Sequence, residues 1–163
     1  MTRTRWLDER EQRTWRAFLD ASRLLLDTLD RELQRDAAMP HAYYEILVRL
    51  SEAPGRRLRM SELADAMRVS RSRLSHAAAR LAEAGWVRRV ECTTDRRGQF
   101  AELTDEGYRI LAAAAPGHVE GVRRHLFEAL SPAQVDQLRE ISEAVLAGLD
   151  PDRARTAERP SRG

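Results

Sequence analysis

Residues 70–76 read Ser-Arg-Ser-Arg-Leu-Ser-His, and that spacing can do one kind of chemistry well. With Leu74, Ala78 and Leu81 on one helical face to seat the segment, Arg71, Ser72, Arg73, Ser75 and His76 fall on the exposed N-terminal half. Serines among arginines let a helix lie deep in the major groove of a duplex. Guanidinium forks then reach guanine N7 and O6, each good bidentate pair contributing about 1–3 kcal/mol of discrimination. Ser70 supplies the N-cap, and Arg80, one turn further along, is a candidate for the phosphate backbone or for an internal ion pair, as are Arg88 and Arg89. A second basic group, Arg96-Arg97 beside Asp95, sits between two short strand-like runs, where it could serve a minor groove while Asp95 braces a guanidinium outward.

Charge supports a polyanion partner only when resolved along the chain. The 163 residues carry 28 basic and 26 acidic groups, a net +2, and every basic residue is arginine. Codon bias accounts for the missing lysine. Residues 56–97 come to +6, the preceding segment to −1 and the following one to −3. Excess positive charge is thus confined to the region holding both basic groups.

The elements that must position these groups are legible from periodicity. Trp15, Phe18, Leu19, Ser22, Leu25, Leu26, Leu29 and Leu33 recur on one face of a helix over roughly 8–35. Pro40 opens a second helix to about 53, with Tyr44, Ile46, Leu47 and Leu50 facing a core, and Pro54-Gly55 stops it. An extended piece at 56–59 leads to a short helix carrying Glu62, Leu63, Ala64, Asp65 and Met67. A turn at Arg68-Val69 then gives helix-turn-helix spacing to the helix from Arg71, which Gly85 terminates. Val87–Cys92 and Gln99–Leu103 have strand character, with Thr93 to Gly98 as a hairpin tip. A helical stretch from Thr104 to about Leu130 is expected to kink or restart at Pro116-Gly117. Ser131, Pro132 and Gln134 form a capping box for a last helix to about Gly148, with Val135, Leu138, Ile141, Val145 and Leu149 on its buried side. Beyond Pro151 the composition is polar, Arg-rich and predicted disordered.

Other chemistries find little support. There is no Gly-rich phosphate loop, nucleophile elbow or paired-histidine motif, so an enzyme is not expected, nor a cofactor. His118 and His125 are seven apart, without the three or four ligands a metal site needs. No run approaches the roughly 18 apolar residues of a membrane span, and the start lacks a signal-peptide core, which predicts a cytoplasmic protein. The single Cys92 agrees with a reducing compartment; nearby arginines could lower its pKa and make it redox-active.

Taken in order, Ser61-Glu62-Leu63-Ala64, Ser70-Arg71-Ser72 with Leu74, Leu81 through Gly85-Trp86-Val87, and Asp95-Arg96-Arg97-Gly98 followed by Leu103-Thr104 and Gly107 resemble the multiple-antibiotic-resistance regulator (MarR) family of winged-helix transcription factors. The likeness covers residues 8–149. It implies a mostly α (α+β) fold, with dimerisation helices at 1–39 and 105–149, a winged helix-turn-helix lobe at 40–104 and a tail at 150–163. It also implies an obligate homodimer with interlocked first and last helices, and a pseudo-palindromic operator. The helix from Arg71 would enter the major groove, and Arg97 the minor groove. Many members release DNA on binding a small aromatic or phenolic ligand, for which Trp15, Phe18, His41, Tyr44 and His118 are lining candidates by type and segment. Peroxide-sensing members use a cysteine in the first helix, and none occurs there in this chain. Arg68 departs from the family, whose tight turn often has glycine at that place. A reading from another class, a helical protein-interaction adaptor on the same scaffold, stays open at this point.

Overall fold

A computed structural model describes residues 4–91 and 98–150. The hairpin tip with Cys92, Asp95, Arg96 and Arg97, and the tail from 151, lie outside the described residues. The chain divides into two units, Met1–Gly121 and Val122–Gly163.

In the first unit, α1 (Glu9–Ala37) starts at Asp8, whose carboxylate accepts the Glu11 N–H while the Glu11 side chain accepts the Asp8 N–H. It is followed by α2 (His41–Glu52), β1 (Arg57–Arg59), α3 (Met60–Met67), α4 (Arg71–Glu83), β2 (Val87–Glu91), β3 (Gln99–Leu103) and α5 (Asp105–His125). The strands form one antiparallel sheet in the order β1-β3-β2. Leu58 faces Ala101 across β1 and β3, and Val87 faces Leu103 across β2 and β3. Those inward side chains join Leu33, Met39, Tyr44, Ile46, Leu47, Leu50, Leu63, Leu74 and Leu81 in a single core. The sheet and helices α2 to α4 therefore make a winged helix-turn-helix lobe, with the predicted α2 and α4 core positions all buried.

Two local devices set the lobe's shape. Arg68 ends α3 in the left-handed region, φ 57°, and its N–H donates to the Asp65 carbonyl. The turn does require positive φ, and Arg occupies it at a cost of about 1 kcal/mol relative to glycine. At the other end, the Thr104 hydroxyl donates to the Gly85 carbonyl at 2.7 Å, the Thr104 N–H donates to the Trp86 carbonyl, and Thr104 Oγ1 caps the Gly107 N–H. A Cβ at Gly107 would lie 2.0 Å from the Trp86 oxygen, so only glycine lets α5 start this close to the turn after α4. These contacts lock the base of the β2–β3 hairpin to the C-terminus of α4.

Three expectations change. Helix α5 runs through Pro116 without a restart. The proline removes the bond to the Ala112 carbonyl, but both residues are on the exposed side, where water replaces it. On α1 only Leu29 and Leu33 of the predicted stripe are buried, whereas Trp15, Phe18 and Leu26 are exposed. In the second unit, α6 (Pro132–Leu149) has the predicted Ser131–Gln134 capping box, but no residue on it is buried. Of the predicted stripe, Val135 and Leu138 are half-buried, while Ile141, Val145 and Leu149 are 62%, 51% and 78% exposed.

The Gly107→Ala substitution should therefore destabilise the chain by about 3 kcal/mol through overpacking against Trp86. Arg68→Gly should gain about 1 kcal/mol, which for a chain of this size raises Tm by about 2–4 °C. Chemical and thermal denaturation of both variants check these values; an unchanged Arg68→Gly would mean that the turn carries no strain.

Candidate functional site

Helix α4 owes its orientation to its seat. Leu74, Ala78 and Leu81 are at most 1% exposed, which fixes the rotation of the helix and leaves its other face outside the core. Ser70 caps it, its hydroxyl accepting the Arg73 N–H at 3.2 Å. That bond uses the Ser70 side chain for structure. Arg71, Ser72, Arg73 and His76 are exposed and Ser75 is half-buried, so the sequence-predicted set shares one open surface at the start of the helix. Among the described residues, Arg71 and Arg73 are in no ion pair, and their guanidiniums are available to an incoming anion.

The remaining arginines separate into structural and open ones. Arg80 pairs with Glu83 at 3.0 Å, and Arg88 with Glu102 across the sheet at 2.5 Å. Hydrogen bonding to Glu102 raises the Arg88 pKa further above its ordinary value. Arg89, by contrast, donates only to the neutral Gln99 side chain. Two residues escaped the sequence reading: Arg57 and Arg59 on β1 lie over the Phe100 ring, guanidinium carbon to centroid 5.3 and 5.2 Å. The period-two pattern Arg57-Leu58-Arg59 was the available signal, since it puts both arginines on the face opposite the core.

The sensing candidates fall into two groups. His41, at the start of α2, Tyr44 one turn on, and His118 of α5 converge. The His118 ring is 5.4 Å from His41 and 4.4 Å from Tyr44. The His41 N–H donates to Asp30 Oδ1 at 2.7 Å, tying α2 to α1. His118 Nδ1 is buried without a hydrogen-bond partner, and the residue borders a pocket of about 190 Å³ lined also by Leu29, Glu32, Leu33, Asp36 and Ile110. Burial, then the neighbouring His41, lowers the His118 pKa below 6.5, with Glu32 opposing. Burial alone raises that of Tyr44. Trp15 and Phe18 stack on each other at 6.4 Å on exposed α1 and border neither the ring cluster nor this pocket.

No cluster of three His, Cys, Asp or Glu suited to a metal occurs among the described residues, and no described helix is long and apolar enough to cross a membrane.

Residues 39–98, from the end of α1 to the hairpin, match the MarR family model. The chain is similar to Sco3205 of Streptomyces coelicolor, a MarR family transcriptional regulator solved in complex with DNA. The two are 55% identical, with 94% of this chain and 96% of that one covered and a TM-score of 0.88. AbsC, a MarR family transcriptional regulator from the same organism, is 43% identical over 91% of this chain and all of its own, TM-score 0.85. The transcriptional repressor MprA of Escherichia coli (strain K12) is 32% identical over 104 residues, and this match spans only 58% of its length. With the seated α4, the β2–β3 hairpin and near-complete coverage of two regulators, the chain belongs to the MarR family of winged-helix transcriptional regulators, which are not enzymes.

Proposed function

We propose that the protein is a cytoplasmic, homodimeric repressor that binds a pseudo-palindromic operator and is released from it by a small aromatic or phenolic ligand. The observation that carries DNA binding is the α4 surface: a helix seated by three buried residues, with Arg71, Ser72, Arg73, Ser75 and His76 left open at its N-terminal half. Likeness to a regulator solved with DNA supports it, as does that to a repressor. In this reading those side chains, started by Ser70, meet the major groove. Arg80 reaches a phosphate by exchanging Glu83 for the backbone, and Arg97, with Arg96 and Asp95, serves the minor groove from outside the described residues.

The uncovered stripes support the dimer. Apolar side chains on α6, and Trp15, Phe18 and Leu26 on α1, are too many and too periodic for a solvated surface. A second copy burying them would make residues 1–39 and 105–149 the dimerisation helices around the 40–104 lobe. Two-fold symmetry would then set the α4 pair about 34–36 Å apart, one DNA turn. For the ligand, His41, Tyr44 and His118 beside the α1–α5 pocket offer an aromatic wall and an unsatisfied nitrogen. Trp15 and Phe18 fit the dimer stripe better. A ligand bound there would act by favouring a spacing of the two α4 helices that does not match DNA, and operator would weaken ligand binding by the same factor.

Three outcomes are expected. Ile141→Glu with Val145→Glu should convert a dimer to a monomer in sedimentation and weaken operator binding roughly 100-fold or more, because the second half-site loses its tether; a persistent dimer would contradict the stripe's role. Arg73→Ala should relax base preference in binding-site selection, while Arg97→Ala weakens all sites evenly and flattens the salt dependence. His118 is more easily protonated in the unfolded chain than in the fold, so stability is intact above about pH 6.5 and falls as acid titrates down to the lowered folded value. His118→Gln should reduce this acid-side loss in pH-dependent melts.

A further inference from the structure

The chain contains no lysine, so acylation of an ammonium group, one covalent way of cancelling charge on a protein surface, has nothing to act on here. On the open face of α4 a charge change by group transfer then falls to a hydroxyl. Residues 70–76 hold three serines, and the fold treats each differently. Ser70 Oγ accepts the Arg73 N–H and is committed to capping the helix. Ser75 is half-buried. Ser72 is exposed, and its hydroxyl is in no hydrogen bond among the described residues.

Ser72 stands between Arg71 and Arg73, which are exposed and in no ion pair among the described residues. A phosphate on its oxygen would carry about −1.5 to −2 charge at pH 7 with three acceptor oxygens. The long stems of Arg71 and Arg73 let their forks swing to those oxygens from either side, and His76 lies one turn on along the same face. Reaching the hydroxyl disturbs little of the fold. Loosening the segment ahead of Leu74 gives up the Arg73 N–H bond to Ser70 Oγ and the Leu74 N–H bond to the Ser70 carbonyl, at 3.2 and 3.0 Å. Leu74, Ala78 and Leu81 remain in the core throughout, so the opening is local.

We propose that Ser72 is a phosphorylation site for an arginine-directed serine/threonine protein kinase, and that the phosphate switches off the α4 surface. In the transfer, Ser72 Oγ bonds to the γ-phosphorus of ATP as the anhydride bond to the β-phosphate oxygen breaks; ADP leaves, and the hydroxyl proton passes to the kinase's carboxylate base. The new phosphate engages Arg71 and Arg73 from within the protein and sets its own negative charge against the phosphates of a duplex. The switch rests on the DNA-binding reading above and adds a control that acts without the small ligand. Because DNA covers α4 in that reading, operator and phosphate oppose each other reciprocally.

The test has two parts, both on the full chain. In the first, phosphoserine is installed at position 72 by genetic encoding, and fluorescence anisotropy compares this form with the wild type on a duplex from the chain's own upstream region and on an unrelated duplex. Phosphoserine should weaken the upstream duplex roughly 100-fold or more, and Ser72→Asp, with less charge, by a smaller factor. Ser72→Ala, which removes the hydroxyl without adding charge, should lose far less than either, with melting curves reporting the fold of each. Equal affinity of the phosphorylated and unmodified chains overturns the switch, as does an equal loss in Ser72→Ala. In the second part, protein taken from its own cells is cleaved after glutamate, which leaves residues 63–83 as one peptide for mass spectrometry. A phosphate located on Ser72 is expected, and a peptide unmodified there in both growing and resting cells overturns the site. If the wild type binds neither duplex, it is the DNA-binding reading that fails.

Discussion

Everything functional in this fold depends on the rotation of α4 about its own axis. Leu74, Ala78 and Leu81 are taken fully into the core, and a helix fixed at three successive contacts on one side has no freedom over what its other side presents. Arg71, Ser72, Arg73 and His76 are exposed for that reason, with Ser75 half-buried at the edge. The same seat reaches the hairpin through the turn after α4, where Thr104 holds the Gly85 and Trp86 carbonyls and Gly107 admits α5 at a distance no side chain would allow. Position of helix and position of hairpin base are consequences of one packed junction.

Electrostatics then divides the arginines by partner. Where an acid is near, as at Arg80 with Glu83 or Arg88 with Glu102, the charge is used on the surface of the fold, for little net stability. Among the described residues Arg71, Arg73 and Arg89 are in no ion pair, which leaves their charge open in the proposed reading to an external anion. Absence of lysine sharpens the division, since every contact is a planar fork on a long stem and benefits from being held, as Phe100 holds Arg57 and Arg59.

Local signals were legible in the sequence wherever the physics was local. The Ser70 cap, the Ser131–Gln134 capping box, the bounds of β3 and the buried side of α4 each depend on a few neighbouring residues. The strained Arg68 turn was legible as a departure from a glycine. Periodicity marks a stripe without saying which surface covers it: α6 has the pattern of a buried helix, yet none of its residues is buried in the structure. At Pro116 the expected restart is absent because the lost bond faces water. The convergence of His41, Tyr44 and His118, and the exclusion of Trp15 and Phe18 from it, depend on how α1, α2 and α5 pack, and no spacing in the chain encodes that. The Phe100 platform needed strand register, since residues 57, 59 and 100 meet only through the β1–β3 pairing.

In the proposed reading a chain of net charge only +2 presents its segregated cationic segment to one specific duplex. The most direct measurement is a gel shift of the full chain on its own upstream region, at low and near-physiological salt, with excess unrelated DNA as competitor. Specific binding should survive the competitor at both salt levels, weakening steeply as salt rises. Complete competition by unrelated DNA at both salts would contradict it, leaving a winged-helix scaffold whose partner is not an operator.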